Sequence, residues 1–187
     1  MMAAPGAFYF DLASAQCYLA AEGVVARFGA QLEWIPVLAA GPCTEQNESE
    51  RAELERRASE LGLQPLRWPD GESRDYGHAM LAATYARQIG RGVAFALAAF
   101  RQAFAGGHSL ADDDYVLIAA AACEMHPAAV LQSFERRGVQ QELAQATAQS
   151  LRAGVSAPPA VRDGERLLLG EQVLEAIAER PYEALAR

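Results

Sequence analysis

The amino-acid sequence predicts an α/β fold in which a long run of helices interrupts a small sheet. Near the start, residues 7–11 are rich in aromatic side chains and fit a strand, residues 15–28 fit a helix, and residues 31–37 fit a second strand. No convincing strand follows between residues 44 and 152, and strand character returns at residues 159–169. The predicted order is therefore βαβ, a helical insertion and ββα.

The first strand leads into a helix whose N-cap is predicted to be Ser14. A hydroxyl at an N-cap accepts hydrogen bonds from unpaired N–H groups, and the positive end of the helix dipole stabilises a nearby anion. Ser14 also opens the tetrad Ser14-Ala15-Gln16-Cys17, which has the spacing of redox Cys-x-x-Cys sites. The alternative interpretation is structural, because Ser commonly caps helices and Cys17 would then be an ordinary buried residue.

The insertion is predicted to contain several helices. Residues 48–61 are highly charged, and Gly62 follows as a C-terminal stop. We interpret these charges as a solvated face with pairs four residues apart. Asp112, Asp113 and Asp114 open a further helix, where acids favour the helix dipole, and we prefer this interpretation to a metal site. The other predicted helices are residues 76–89, 93–105, 127–137 and 139–152.

Two short strands and a helix are predicted to close the chain. Asp163-Gly164 is a hairpin signal between residues 159–162 and 166–169. The final helix is predicted over residues 173–179. The predicted domains are a sheet-containing domain made of residues 1–40 and 153–187, and an inserted helical domain made of residues 41–152.

Composition argues against several classes of function. The chain has 187 residues and a formal net charge of −8 without a basic stripe, which argues against nucleic-acid binding. All 16 cationic side chains are arginines, so no mechanism can depend on lysine. No apolar run reaches membrane-spanning length and the N-terminus lacks a secretory pattern, so we expect a cytoplasmic protein. The three cysteines and three histidines have neither disulfide nor metal-ligand spacing.

Four stretches, in this order along the chain, resemble the DsbA-type branch of the thioredoxin superfamily. They are the opening strand with its tetrad, the connector 65–69, the stretch 95–114 and the run 154–161. More closely, the chain resembles 2-hydroxychromene-2-carboxylate isomerase and the kappa-class glutathione transferases, in which Ser replaces the first Cys of the tetrad. The resemblance implies a thioredoxin-like sheet with a large all-helical insertion.

The resemblance also implies a glutathione site. Ser14 would donate a hydrogen bond to a glutathione thiolate at the N-terminus of the first helix. Pro159 would be a cis proline, and the backbone of Pro158 before it would pair with the glutathione backbone as an added strand. Glu171 and Gln172 occupy the position at which the family holds the γ-glutamyl end of glutathione.

Three functions are consistent with these residues. The first is a glutathione-dependent isomerase or transferase acting on a small aromatic or electrophilic substrate. The second is a DsbA-type thiol–disulfide oxidoreductase using Cys17, which could form only a mixed disulfide because Ser14 replaces its partner. The third is a non-catalytic binding protein of the same fold, because Pro158 has no N–H to donate and Gln172 has no charge to meet an ammonium group. The resemblance further implies that the chain can form a homodimer.

Overall fold

A computed structural model of the chain describes residues 6–39, 47–69 and 75–179. Within these ranges, the strands lie near the two ends of the chain, and helices alone fill the middle. The elements are β1 (Ala7–Phe10), α1 (Ala15–Phe28), β2 (Glu33–Pro36), α2 (Glu48–Glu60), α3 (Gly77–Gln88), α4 (Gly92–Phe104), α5 (Asp113–Ala121), α6 (Pro127–Glu135), α7 (Arg137–Arg152), β3 (Ala160–Asp163), β4 (Arg166–Leu169) and α8 (Glu171–Ala178).

The described strands form one sheet in the order β2-β1-β3-β4. β1 pairs with β2 in parallel, with Phe8 opposite Trp34, and pairs with β3 antiparallel, with Phe8 opposite Val161. β3 and β4 form an antiparallel hairpin. Parallel β1 and β2 need a crossover connection, which α1 supplies. The predicted α/β class and the order βαβ, helices, ββα are therefore confirmed.

The side chains of β1 alternate between two hydrophobic clusters, one on each face of the sheet. Phe8 and Phe10 lie in the larger cluster and meet the Trp34 ring edge-on, with ring centroids 4.9 and 5.9 Å away. Ala7 and Tyr9 lie in the smaller cluster on the opposite face. Burial on both faces fixes β1 at the centre of the sheet, and with it the loop that follows Phe10.

The inserted helices share the larger cluster with the sheet. Phe100 on α4 packs against Phe10 on β1, with ring centroids 5.8 Å apart. Phe104, also on α4, stacks on Tyr18 of α1 at the same separation of 5.8 Å. Phe10, Phe100 and Phe104 are each at most 1% exposed. One continuous core therefore joins the insertion to β1 and α1.

The hairpin turn lies one residue later than predicted. Asp163 belongs to β3 and pairs with Arg166, so the connecting residues are Gly164 and Glu165 rather than Asp163 and Gly164. Pairing extends to Asp163 because Gly164 takes up the reversal, with a φ of +60° that glycine adopts without strain. The predicted stop after α2 is confirmed, since Gly62 has a φ of +69°.

Other helix ends differ from the prediction by small amounts. α6 ends at Glu135, before the predicted end at Arg137, and α7 already begins at Arg137. The extended backbone of Arg136 (φ −70°, ψ 112°) ends one helix and caps the other. In the described part of the chain, no helix has both the length and the apolar composition needed to cross a membrane.

Candidate functional site

The loop between β1 and α1 places Ser14 at the N-terminus of α1. Ser14 has an extended backbone (φ −99°, ψ 118°), and its Oγ accepts a hydrogen bond from the Cys17 N–H at 3.2 Å. The Ser14 N–H donates to the Asp11 carbonyl at 3.1 Å. The predicted N-cap is confirmed. The half-buried hydroxyl lies where the first N–H groups of α1 create the positive end of the helix.

The Cys17 side chain is turned into the core rather than toward the end of the helix. It is 0% exposed, and its Sγ accepts a hydrogen bond from the Asp11 N–H at 3.5 Å. Burial raises the pKa of the Cys17 thiol to about 12, so the thiol is neutral at physiological pH. A reactive cysteine needs a low pKa and exposure. This geometry does not support Cys17 as a nucleophile.

A buried carboxylate, Asp11, holds the loop before Ser14. Its Oδ1 accepts the Ala13 N–H and its Oδ2 accepts the Ala39 N–H, each at 2.9 Å. Burial raises the pKa of Asp11 above its usual value, and these two hydrogen bonds oppose part of that rise. Because Ala39 follows β2, Asp11 ties the loop to the end of the neighbouring strand.

An open cleft of about 460 Å³ lies beside Ser14. It is bounded by the first turns of α1 and α8 and by one face of α2. This volume falls within the range of sites for small molecules. Charged and polar side chains dominate the lining. Among the described residues, the lining consists of Ser14, Gln16, Ser49, Glu50, Glu53, Leu54, Arg57 and Glu171.

Arg57 connects the two walls of this cleft. From α2, its guanidinium forms an ion pair with Glu171 on α8, and its Nε donates to Glu53 Oε1 at 2.9 Å. Hydrogen bonds from Arg56 and Arg57 lower the pKa of Glu53 to about 2. Glu53 therefore stays ionised at all physiological pH values. The cleft presents charges of both signs to a ligand, with the guanidinium between carboxylates.

The other predicted site residues do not belong to the described lining of the cleft. The Pro158–Pro159 peptide bond is cis, as the resemblance implied. Pro158 is half-buried and Pro159 is buried, and the Pro159 carbonyl accepts the Gly170 N–H at 2.7 Å. The Gln172 Oε1 accepts the Leu169 N–H at 3.3 Å, so this amide is engaged with its own chain. Only Ser14 and Glu171 of the predicted set meet at the cleft.

The sequence does not predict the contribution of α2 to this site. The charged run forms the predicted solvated face with pairs four residues apart, Arg56 with Glu60 and Arg57 with Glu53. Ser49, Glu53 and Arg57 of the same helix also line the cleft. Their spacing of four residues indicates a shared helix face, but no local signal shows that this face meets Ser14. α8 also begins two residues before its predicted start, which places Glu171 in its first turn.

The acidic run before α5 caps that helix, as predicted. Asp112 Oδ1 accepts the Asp114 N–H at 2.9 Å, and Asp113 lies 2.9 Å from Nδ1 of His78. Within residues 6–39, 47–69 and 75–179, no group of three or more His, Cys, Asp or Glu side chains is arranged to hold a metal ion. The Ser14 cleft, rather than a metal centre, is therefore the candidate site in the described part of the chain.

Comparison with known proteins identifies the fold. A model of the DSBA-like thioredoxin domain family matches residues 7–180. A solved 2-hydroxychromene-2-carboxylate isomerase has a TM-score of 0.78 at 15% identity, over 93% of this chain and 92% of that one. A probable DsbA oxidoreductase from Streptomyces coelicolor has a TM-score of 0.73 at 19% identity, over 93% and 86%. The cytosolic disulfide reductase DsbM from Pseudomonas aeruginosa, solved with GSH, has a TM-score of 0.65 at 16% identity, over 93% and 96%.

These comparisons differ in what they establish. No curated protein matches the chain in sequence. The solved structures are distant in sequence, so their likeness shows the fold and not the activity. The family model, in contrast, extends from β1 through the Ser14 loop and the insertion to the end of α8. The chain therefore belongs to the DSBA-like thioredoxin domain family.

Proposed function

We propose that this protein is a glutathione-dependent isomerase or transferase that acts on a small aromatic or other electrophilic molecule. One observation carries the proposal, namely that the Ser14 hydroxyl caps α1 at the wall of an open cleft. The hydrogen bond from the Cys17 N–H uses an oxygen lone pair, so the Ser14 O–H can still donate. A hydroxyl donor beside a helix N-terminus stabilises an anion. Bound glutathione would supply a nucleophilic thiolate at that point.

The charges of the cleft fit a glutathione molecule, which carries one ammonium group and two carboxylates. The Glu171 carboxylate faces the cleft and can receive the ammonium group, while Arg57 can receive a carboxylate. Pro158 can offer its carbonyl but has no N–H. Gln172 is engaged with Leu169, so it contributes less than the resemblance implied. Binding therefore depends on Ser14, Glu171 and Arg57.

The burial of Cys17 favours glutathione chemistry over thiol–disulfide exchange on this protein's own cysteine. A tetrad with Ser14 in its first position cannot cycle an internal disulfide, and the remaining thiol is 0% exposed with a pKa of about 12. A hydroxyl at the helix end can instead serve a thiolate that arrives with a ligand.

We propose a cytoplasmic location, where glutathione is abundant. The cytosolic DsbM neighbour is consistent with that location.

A second candidate is a non-catalytic binding protein of the same fold. The observation that favours it is that the charges of the cleft already have partners within the protein. Arg57 is ion-paired with Glu171 and hydrogen-bonded to Glu53, so a ligand carboxylate has to compete with both. In this alternative, the cleft binds its ligand without activating a thiol, and Ser14 serves only as a helix cap.

Calorimetric titration with reduced glutathione tests the proposal. We expect binding in the micromolar to low millimolar range, weakened at least about fivefold by Ser14→Ala, since the variant loses a hydrogen bond to a charged group. Asp112→Ala is the matched control, because it removes an N-cap of similar kind from α5, outside the described lining of the cleft. Both variants should lose about 1 kcal/mol of stability. No heat at several millimolar glutathione, or equal affinity in wild type and Ser14→Ala, would contradict the proposal.

Catalysis is tested separately from binding. Wild-type protein that binds glutathione should be screened with small aromatic electrophiles, using Ser14→Ala as the inactive reference. Turnover that requires both glutathione and Ser14 supports the isomerase or transferase. Glutathione binding with no turnover of any such compound would favour the non-catalytic candidate.

A further inference from the structure

The four backbone N–H groups of the loop before α1 all have acceptors. Ser14 donates to the Asp11 carbonyl at 3.1 Å, and Ala13 donates to Asp11 Oδ1 at 2.9 Å. The two remaining donors meet sulfur atoms, because Asp11 donates to Cys17 Sγ at 3.5 Å and Leu12 donates to Met80 Sδ at 3.3 Å. The loop that carries Ser14 is therefore anchored partly by thiol and thioether sulfur.

Met80 provides the long-range anchor of this loop. It lies on α3, in the inserted helices, whereas Leu12 is the second residue after β1. Leu12 is 0% exposed and Met80 is 1% exposed, so water cannot replace the sulfur as acceptor. A buried N–H without an acceptor is costly. Thioether sulfur is a weak acceptor, but a flexible Met side chain fits a tightly packed core while presenting it.

We infer that Met80 is a positioning residue for Ser14. Its hydrogen bond holds Leu12 in place, and with it the backbone of Leu12 and Ala13 that leads to the N-cap. The inserted helices thereby help to orient the Ser14 hydroxyl. Cys17 fixes the preceding residue, Asp11, from within α1. This inference rests on the proposed function, in which the Ser14 hydroxyl serves a bound thiolate.

The test compares Met80→Leu with Met125→Leu. Leu keeps the apolar volume of Met but removes the acceptor. Met125 is the matched control, because it is also buried, at 4% exposed, and belongs to the connection between α5 and α6. In Met80→Leu, we expect exchange of the Leu12 amide to rise about tenfold beyond any change in global stability. Glutathione affinity should fall about three- to tenfold, with less thiolate absorbance at saturation. Met125→Leu should leave Leu12 exchange, glutathione affinity and thiolate absorbance unchanged.

A second replacement removes the sulfur with almost no change of shape. The chain has four methionines, at positions 1, 2, 80 and 125, so norleucine incorporated into Met125→Leu alters Met80 alone among the internal positions. We expect it to reproduce the faster Leu12 exchange. Full protection of Leu12 in both Met80 replacements would overturn the inference, as would faster exchange with unchanged thiolate absorbance. Absence of glutathione binding by the wild type would instead overturn the proposed function, and with it the role of Met80 toward the thiolate. Exchange of the Leu12 amide would still show whether Met80 holds Leu12.

Discussion

The Cys17 thiol is held neutral by its surroundings, although it lies in the first turn of α1. An exposed cysteine here would gain from the helix dipole, but the side chain is 0% exposed and burial dominates its pKa. Its hydrogen bond from the Asp11 N–H lowers the pKa, yet the result is still about 12. The cysteine is therefore a packing and anchoring residue, and the chemistry of the tetrad falls to Ser14.

We expect Cys17 to resist alkylation in the native protein. With Cys43 and Cys123 changed to Ala, iodoacetamide at about pH 8 should label Cys17 roughly a thousandfold more slowly in the folded than in the unfolded protein, because a thiol with a pKa of about 12 is almost wholly protonated there. The rate should continue to rise with pH, since the thiolate fraction grows until the pKa is reached. Equal rates in the two states, or a plateau below pH 9, would show a thiolate in the native site.

Individual site residues could be predicted from the sequence when their role depends on neighbours in the chain. Ser14 is an example, because an N-cap requires only the residue and the helix after it. Arg57 could not be predicted, because its role comes from Glu171, far along the chain. The resemblance implies that Gln172 contacts a ligand, but a backbone N–H three residues away provides a competing partner for its amide.

The salt bridge between α2 and α8 spans the cleft, so its loss should destabilise the attachment of both helices. Arg57 bridges to Glu171, whereas Arg56 pairs with Glu53 and Glu60 on its own helix. The two arginines also differ in burial, since their side chains are 23% and 53% exposed, respectively. Adjacent positions with such different partners make a matched pair of substitutions.

We expect Arg57→Ala to lower the free energy of unfolding by about 1 kcal/mol, and Arg56→Ala by about 0.3–0.5 kcal/mol, because an exposed pair within one helix contributes little. Arg57→Ala should also weaken glutathione binding several-fold, and both effects should shrink in high salt. Urea unfolding and calorimetry at low and high ionic strength would measure this. Indistinguishable results for the two variants would show that the bridge across the cleft has no special role.

The elements of the fold were predictable where a local signal begins or ends them. α1 was expected over residues 15–28 and is found there, between the Ser14 cap and Gly29 with a φ of +96°. The Asp163-Gly164 signal predicts the hairpin turn one residue early, because the length of pairing between β3 and β4 depends on the whole ladder. The residues of α2 that line the cleft are spaced four apart, as on one face of a helix. Which elements this face meets depends on the tertiary fold, so the spacing alone does not predict the cleft.

At the scale of the whole molecule, the inserted helices and the sheet are built around one core. Phe100 is 0% exposed and contacts both Phe10 of β1 and Tyr18 of α1, with ring centroids 5.8 and 6.3 Å away. The division into residues 1–40 with 153–187 and residues 41–152 remains a prediction about chain organisation. Shared burial of this kind argues that the two parts are one cooperative unit, because neither can lose its partner without exposing aromatic surface.

We therefore expect a single unfolding transition. Phe100→Ala should lower the stability of the protein without dividing this transition into two. The cavity left by a buried aromatic ring should lower the free energy of unfolding by about 3–5 kcal/mol. Leu131→Ala, at a side chain 44% exposed on α6, should change it by less than about 0.5 kcal/mol. Tryptophan fluorescence and far-ultraviolet circular dichroism should give coincident curves for all three proteins, with equal calorimetric and van't Hoff enthalpies. Two separate transitions, with Phe100→Ala shifting only one, would instead make residues 41–152 an independently folding domain.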